Sequence, residues 1–252
     1  MTLEARDVCK SYDGKPALWP TSLEFDDRRT TAILGQSGCG KSTLIRMLMG
    51  LVWPDSGHVR VDGVKLERRD VLPMRRKMGY VIQEGGLFPH LTARENILLL
   101  PRFLGQEAAA ERYMDDLIDL TRLPGDVLDR YPTQVSGGQR QRLSLMRALI
   151  LKPQYLLLDE PLGALDPMIR ADLQNDLKEI FKVLGRTVIL VTHDLAEAAF
   201  LADEIVMMRS GRIVQAGTYA ALVNQPSDAY VTRFINSQRL MPMDARNNEV
   251  GV

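Results

Sequence analysis

The chain has 252 residues, 45% of them hydrophobic and 25% charged, the balance of a chain that folds around a core. Lys plus Arg (32) equals Asp plus Glu (32), which removes any bulk electrostatic case for nucleic acid or an anionic membrane surface. Two cysteines are too few for a disulfide framework, no apolar run reaches the roughly 18 residues of a membrane span, and residues 1–10 lack a signal-peptide core, so a cytosolic location is expected.

Residues 2–34 hold short β-type runs. Leu3-Glu4-Ala5-Arg6-Asp7-Val8 and Leu23-Glu24-Phe25 predict strands, with a turn at Asp13-Gly14. Tyr12 has two readings, a ring stacked on a base or a half-buried strand tyrosine. The apolar run Thr31-Ala32-Ile33-Leu34 enters Gly35-Gln36-Ser37-Gly38-Cys39-Gly40-Lys41-Ser42-Thr43, and a helical pattern over 42–51 follows, with Leu44, Ile45, Leu48 and Leu51 on one stripe. Strand, glycine-rich loop and helix in that order are the context of a phosphate-binding loop. Glycines let backbone N–H groups turn toward an anion, and the helix start adds about half a positive charge. In such a loop Lys41 reaches the β- and γ-phosphates and the Ser42 hydroxyl coordinates Mg²⁺. Cys39 reads either as a small residue or as a thiolate favoured by the helix start.

Pro54-Asp55-Ser56-Gly57 turns the chain into a hairpin arm over 58–63, in which His58 is expected on the solvated side. Gly79-Tyr80-Val81-Ile82 stops at Gln83, followed by Glu84-Gly85-Gly86; a polar residue there either faces a ligand or caps the strand. From 91 to about 151 the pattern is helical, as in a helical insert within an α/β chain. Inside it Val135-Ser136-Gly137-Gly138-Gln139 opens a helix, with Ser136 as an N-cap or the pair of glycines as a second anion site. The strand Tyr155-Leu156-Leu157-Leu158 is apolar throughout, hence covered on both faces, and ends in Asp159-Glu160-Pro161. Adjacent carboxylates repel unless a cation or unlike surroundings separate them. Beside a phosphate loop, Asp159 would stand near a metal and Glu160 would polarise a water; otherwise both are solvated acids. Ala164-Leu165-Asp166-Pro167 turns into a helix with Asp166 as N-cap, and the strand 187–191 leads through Thr192 to His193, a structural residue or a ligand-facing one. Asp194 and Glu197 have capping-box spacing. A strand pair (204–209, 212–215) and two short helices to about 235 follow, and 237–252 lacks periodicity and is expected to be a mobile tail.

Taken together, and in this order, these motifs resemble the ATP-binding cassette (ABC) transporter ATPases over nearly the whole chain, to about residue 236. The resemblance implies an α/β fold: a P-loop NTPase core with a mainly parallel sheet and an N-terminal antiparallel β subdomain (1–88 and 152–220), an inserted α-helical subdomain (about 89–151) and terminal helices (218–236). It implies that Tyr12 stacks on adenine and that Gly35, Gln36, Ser37, Gly38, Cys39, Gly40, Lys41, Ser42 and Thr43 hold the phosphates of ATP. Ser42 and Gln83 would ligate Mg²⁺ with Asp159 in support, Glu160 would be the general base and His193 would contact the γ-phosphate. Ser136, Gly137, Gly138 and Gln139 would close on the ATP of a second subunit, with Asp166 at that interface, giving a head-to-tail homodimer or a pair of similar subunits. Val135 stands where Leu is commoner and Gly163 where Ser is frequent.

The stretches Gly79-Tyr80-Val81-Ile82-Gln83, Gly86-Leu87-Phe88-Pro89-His90-Leu91-Thr92, Tyr131-Pro132 and Leu165-Asp166-Pro167 are similar to importers of glycine betaine, carnitine, choline and related osmoprotectants. That implies an importer ATPase peripheral to the cytoplasmic face of the membrane, bound to a permease and served by a solute-binding protein, with no nucleic acid as partner. Many such ATPases carry a C-terminal regulatory extension; the sequence ends too soon for one, so built-in ionic-strength sensing is not expected. An exporter or lipid-trafficking ATPase, or an ATPase acting on ribosomes or DNA, is the alternative of the same fold.

Overall fold

Two sheets share the strands, and the way they stack decides where the loops meet. The computed structural model describes residues 2–83, 85–163 and 165–239; Glu84, Ala164 and the expected tail over 240–252 lie outside the described residues. The chain runs β1 (Leu3–Tyr12), β2 (Lys15–Phe25), β3 (Thr30–Leu34), α1 (Lys41–Leu48), β4 (Ser56–Val61), β5 (Val64–Lys65), α2 (Val71–Arg75), β6 (Met78–Val81), α3 (Ala93–Phe103), α4 (Glu107–Thr121) and α5 (Gly137–Leu149). It continues through β7 (Tyr155–Asp159), α6 (Pro167–Leu184), β8 (Thr187–Thr192), α7 (Leu195–Leu201), β9 (Glu204–Arg209), β10 (Arg212–Gly217), α8 (Tyr219–Asn224) and α9 (Ala229–Arg239).

The larger sheet has the order β10-β9-β3-β8-β7-β6. Its strands are parallel except for β10, which returns antiparallel on β9. The smaller sheet, β2-β1-β4-β5, is antiparallel. Register aligns the ends of the parallel strands: Leu34 lies opposite Thr192, Asp159 opposite Val191, and Val81 opposite Leu158. Gly35, Glu160, His193 and Gln83 therefore leave the sheet at one edge, where ligands bind in open α/β sheets.

Strands β3, β7 and β8 are buried along their whole length. Alternation sends their side chains to opposite faces. Ile33, Leu157, Ile189 and Val191 pack with Leu44, Ile45 and Leu48 of α1 and with the smaller sheet. On the other face Leu156, Leu158, Val188 and Leu190 meet the helices α3–α6, while Ala32, Leu34, Ile205 and Met207 meet α7, α8 and α9. No helix among the described residues is long and apolar enough to cross a membrane.

Two expectations change. The helix after the glycine-rich loop ends at Leu48 rather than 51, because Gly50 turns at φ 64° and the N–H groups of Leu51 and Val52 both fold back to Arg46 O. The last helix continues to Arg239, past the expected start of the tail at 237. Tyr230, Val231, Phe234 and Ile235 supply its apolar stripe, and its final turn is held by the polar contacts of Ser237 and Gln238, which hydrophobic periodicity cannot report.

The helical part is tied to α6 by a buried carboxylate. Asp176, 4% exposed, accepts from Arg122 Nη1 at 2.6 Å and lies 2.6 Å from Arg142 Nη2. Arg142 Nη1 also donates to the Thr121 and Arg122 carbonyls at 2.6 and 3.0 Å, satisfying the C-terminal end of α4. Asp176→Ala should therefore leave the largely buried Arg142 guanidinium without its carboxylate and cost about 2–4 kcal/mol, below the range for a wholly buried pair because Arg122 is half exposed and keeps Glu179 at 2.7 Å. Urea denaturation checks this, with a loss under about 0.5 kcal/mol counting against the clamp.

Candidate active site

The loop between β3 and α1 is shaped by close backbone approach. A Cβ on Gly35 would sit 2.4 Å from Met208 O, and one on Gly40 2.6 Å from Ala17 O. Gly40 also needs its left-handed conformation, φ 105°, to start α1. No side chain caps that helix and no acid stands in its first turn, so its N-terminal donors face the loop's concavity and suit an anion. Lys41 folds back over the loop: its Nζ donates to Gly35 O at 2.8 Å and Gln36 O at 3.2 Å, and lies 3.9 Å from Glu160 Oε1. Gln36, Ser37 and Gly38 are exposed on the rim, and Ser42 and Thr43 are half buried at the helix start. Cys39 is buried, and burial above all pushes its thiol up despite the Lys41 charge nearby, which favours the small-residue reading over the thiolate.

Asp159 is 1% exposed. Its Oδ1 accepts from Ser42 Oγ at 3.1 Å and its Oδ2 from Tyr80 OH at 3.4 Å. Burial is the main force raising its carboxyl, aided by the Glu160 charge and opposed by Ser42 and Arg46. A buried carboxylate bonded to the Ser42 hydroxyl is a hard-oxygen donor pair of the kind Mg²⁺ takes. The residues present thus fit the metal that the resemblance implies.

Glu160 leaves β7 in the left-handed region, φ 48°. Its N–H donates to Val191 O at 2.9 Å, and its side chain turns to His193, with Oε2 3.2 Å from Nδ1. The adjacent acids are thus split by backbone geometry: Asp159 points to Ser42, Glu160 to His193 and Lys41. Gln83, Gly137, Arg140, Glu160, Gly163 and His193 line one open cleft of about 500 Å³.

The remaining expected residues lie apart. Tyr12 ends β1, 47% exposed, with Lys10 Nζ 5.7 Å from its ring centre. Ser136, Gly138 and Gln139 line a second cleft of about 550 Å³, with only Gly137 turned to the first. In this chain Ser136 and Gln139 cap each other: Ser136 Oγ accepts from Gln139 N–H at 3.2 Å and Gln139 Oε1 from Ser136 N–H at 2.9 Å. Asp166 caps α6 by accepting from Ile169 N–H at 3.1 Å. Tyr80 and Gln238 carry no sequence signal of a site role because their contacts, to Asp159 and Leu195, are distant in sequence, and Thr192 because its hydroxyl takes the Asp194 N–H that the capping-box spacing assigns to Glu197.

The expected capping box at α7 is only half formed. Asp194 Oδ1 accepts from Ala196 and Glu197 N–H at 2.7 and 3.1 Å. Glu197, 4% exposed, turns inward instead and accepts from Thr192 Oγ1 at 2.7 Å, while that hydroxyl accepts the Asp194 N–H. Thr192 thus takes the backbone donor that a box would give to Glu197.

A Lys-tipped loop at a helix start, a buried Asp on its hydroxyl and a Glu–His pair at one sheet edge define a nucleotide-binding cassette. The ABC transporter family model matches residues 18–163. The chain is 41% identical over 242 residues to the Bacillus subtilis glycine betaine/carnitine/choline transport ATP-binding protein OpuCA, covering 95% of this chain and 63% of that protein. It is 40% identical over 258 residues to the sulfate/thiosulfate import ATP-binding protein CysA of Rhodopseudomonas palustris, covering 99% of this chain and 72% of that one. A dimeric post-hydrolysis structure of the ATP-binding cassette MJ0796 bound to ADP and Pi superposes with TM-score 0.76 at 29% identity, covering 86% of this chain and 98% of that one. The chain belongs to the ABC transporter family. It spans less than two thirds of the length of OpuCA.

Glu197 gives a pH signature. Burial above all pushes its carboxyl from 4.5 up to about 7; Asp194 and Glu160 add to the shift, and Thr192 and Arg170 oppose it. The folded protein then binds more protons than the unfolded chain between these values, so this residue's contribution to stability falls as pH rises through that window. The stability gap between Glu197→Gln and the parent should shift toward the variant from pH 5 to pH 8. Urea denaturation at both pH values measures it, and a constant gap would contradict the assignment.

Proposed function

We propose that this chain is the ATP-hydrolysing subunit of a membrane solute importer. The observation that carries the reading is the convergence of Lys41, the Ser42–Asp159 pair and the Glu160–His193 pair at one sheet edge. Gly35 to Thr43 hold the phosphates through backbone N–H groups and Lys41, and Tyr12 takes the adenine. Ser42, Asp159 and Gln83 hold Mg²⁺, which neutralises charge on the phosphate oxygens. Glu160 accepts a proton from the attacking water, and His193, joined to Glu160 through Nδ1, keeps its Nε2 for the γ-phosphate.

Ser136, Gly137, Gly138, Gln139 and Asp166 serve the site of a second copy of the chain, so each site takes its loop from one copy and its second helix start from the other. The likeness to the dimeric MJ0796 cassette supports this pairing. A membrane permease docks at the apolar cleft of about 340 Å³ lined by Tyr80, Phe88, Leu99, Leu100 and Arg147. That cleft communicates with the site: Arg147 donates to the Gly85 and Gly86 carbonyls, in the loop that follows Gln83. The solute class is quaternary-amine osmoprotectants, supported by the motifs over 79–92 and the likeness to OpuCA. A solute-binding protein completes the system at the opposite membrane face, and this chain works at the cytoplasmic face.

Glu160→Gln should retain ATP binding while cutting hydrolysis by at least about a hundredfold, the scale of losing a catalytic base; near-normal turnover would refute the role. Lys41→Ala should weaken ATP binding by about tenfold or more, the worth of a charge-assisted hydrogen bond; equilibrium titration with unchanged affinity would overturn the phosphate-loop assignment. Deletion of the gene should abolish uptake of labelled glycine betaine and spare sulfate; the reverse result would reassign the solute.

A further inference from the structure

We propose that Gln238, near the end of α9, is a positioning residue for His193, and that the C-terminal helix thereby sets the resting place of this side chain. The inference rests on the role given to His193 above. The start of α7 has its N-terminal donors individually accounted for. Asp194 N–H goes to Thr192 Oγ1 at 3.0 Å, and those of Ala196 and Glu197 go to Asp194 Oδ1. The donor between them, Leu195 N–H, has no acceptor on its own element and goes to Gln238 Oε1 at 2.6 Å, 43 residues away in sequence. The same amide donates from Nε2 to His193 O at 2.8 Å. One planar group therefore grips the backbone on both sides of Asp194. Only one orientation of that amide meets an N–H on one side and a carbonyl on the other, so the pair is also directional.

The grip is anchored. Gln238 follows Phe234 by one helical turn, on the same face. Phe234, Val231 and Ile235 are buried with Leu195 and Ala198 of α7 and with Leu34, the residue that launches the glycine-rich loop. The C-terminal helix thus lies against both the strand that feeds the loop and the helix that follows His193. The His193 side chain is held by Glu160, and its ring is half exposed. Without Gln238 the His193 carbonyl and the Leu195 N–H would depend on water, and the imidazole would wander relative to Glu160.

Three measurements test this. In the nucleotide-free protein, Gln238→Ala should raise amide exchange at Leu195 by about tenfold or more while leaving the buried Val191 amide unchanged. Turnover should fall about tenfold with the KM for ATP within about twofold, because misplacement costs the chemical step rather than binding. In a His193→Ala background the Gln238 substitution should add no further loss, as expected of residues acting through one group. Unchanged exchange at Leu195 would remove the contact. Wild-type turnover despite faster exchange, or an undiminished loss in the His193→Ala background, would overturn the positioning role. Wild-type turnover of His193→Ala alone, with Leu195 exchange still sensitive to Gln238, would instead sink the role of His193 and this inference with it.

Discussion

An ammonium group buried to 3% exposure must be given oxygen, and that requirement organises the upper edge of the sheet. Lys41 takes the Gly35 and Gln36 carbonyls, which point inward only because the loop doubles back within six residues of β3. That doubling leaves no room for side chains where Met208 O and Ala17 O approach. Two distant hairpins, β1–β2 and β9–β10, must therefore be in place for the loop to hold its shape. The backbone shows the connection directly: Trp19 N–H donates to Gly211 O, and Gly211 N–H to Cys39 O. The loop is built from local sequence but supported from almost the whole length of the chain.

The two helix starts considered as anion sites differ physically. At α1 the capping position is a glycine with no side chain to offer. At α5 the Ser136 and Gln139 N–H groups are already engaged in a reciprocal cap. A single chain thus presents one prepared anion cradle and one closed helix end. A ligand approaching α5 must compete with the cap or use the glycine N–H groups beside it, which fits a contact made only on assembly.

Strand ends and the loop were legible because their signals are local: continuous apolar runs for β7 and β8, glycine spacing for the loop, Ser136 and Asp166 as caps. The alternation within each buried strand was not, since a strand covered on both faces carries no period. Nor was the partition of Asp159 from Glu160, which depends on the left-handed turn at Glu160, a conformation that glutamate does not advertise. Glu197 misled for a related reason. Its spacing from Asp194 suits a reciprocal cap, but a threonine one strand-end earlier competes for the same backbone donor. Gln238 lies beyond the last apolar residue of its helix, where periodicity has nothing to read.

The parallel sheet is a wall shared by separate apolar bodies. Leu156 and Leu158 of β7 belong to the body built around α3–α6, whereas Tyr155 and Leu157, their immediate neighbours, belong to the one around α1. The helices of 93–149 therefore share one continuous core with the strands: excised, they would expose the face they bury against them. Cooperative opening in this protein should run across the sheet rather than along the chain, with residues far apart in sequence losing protection together and adjacent residues of one strand belonging to different opening units.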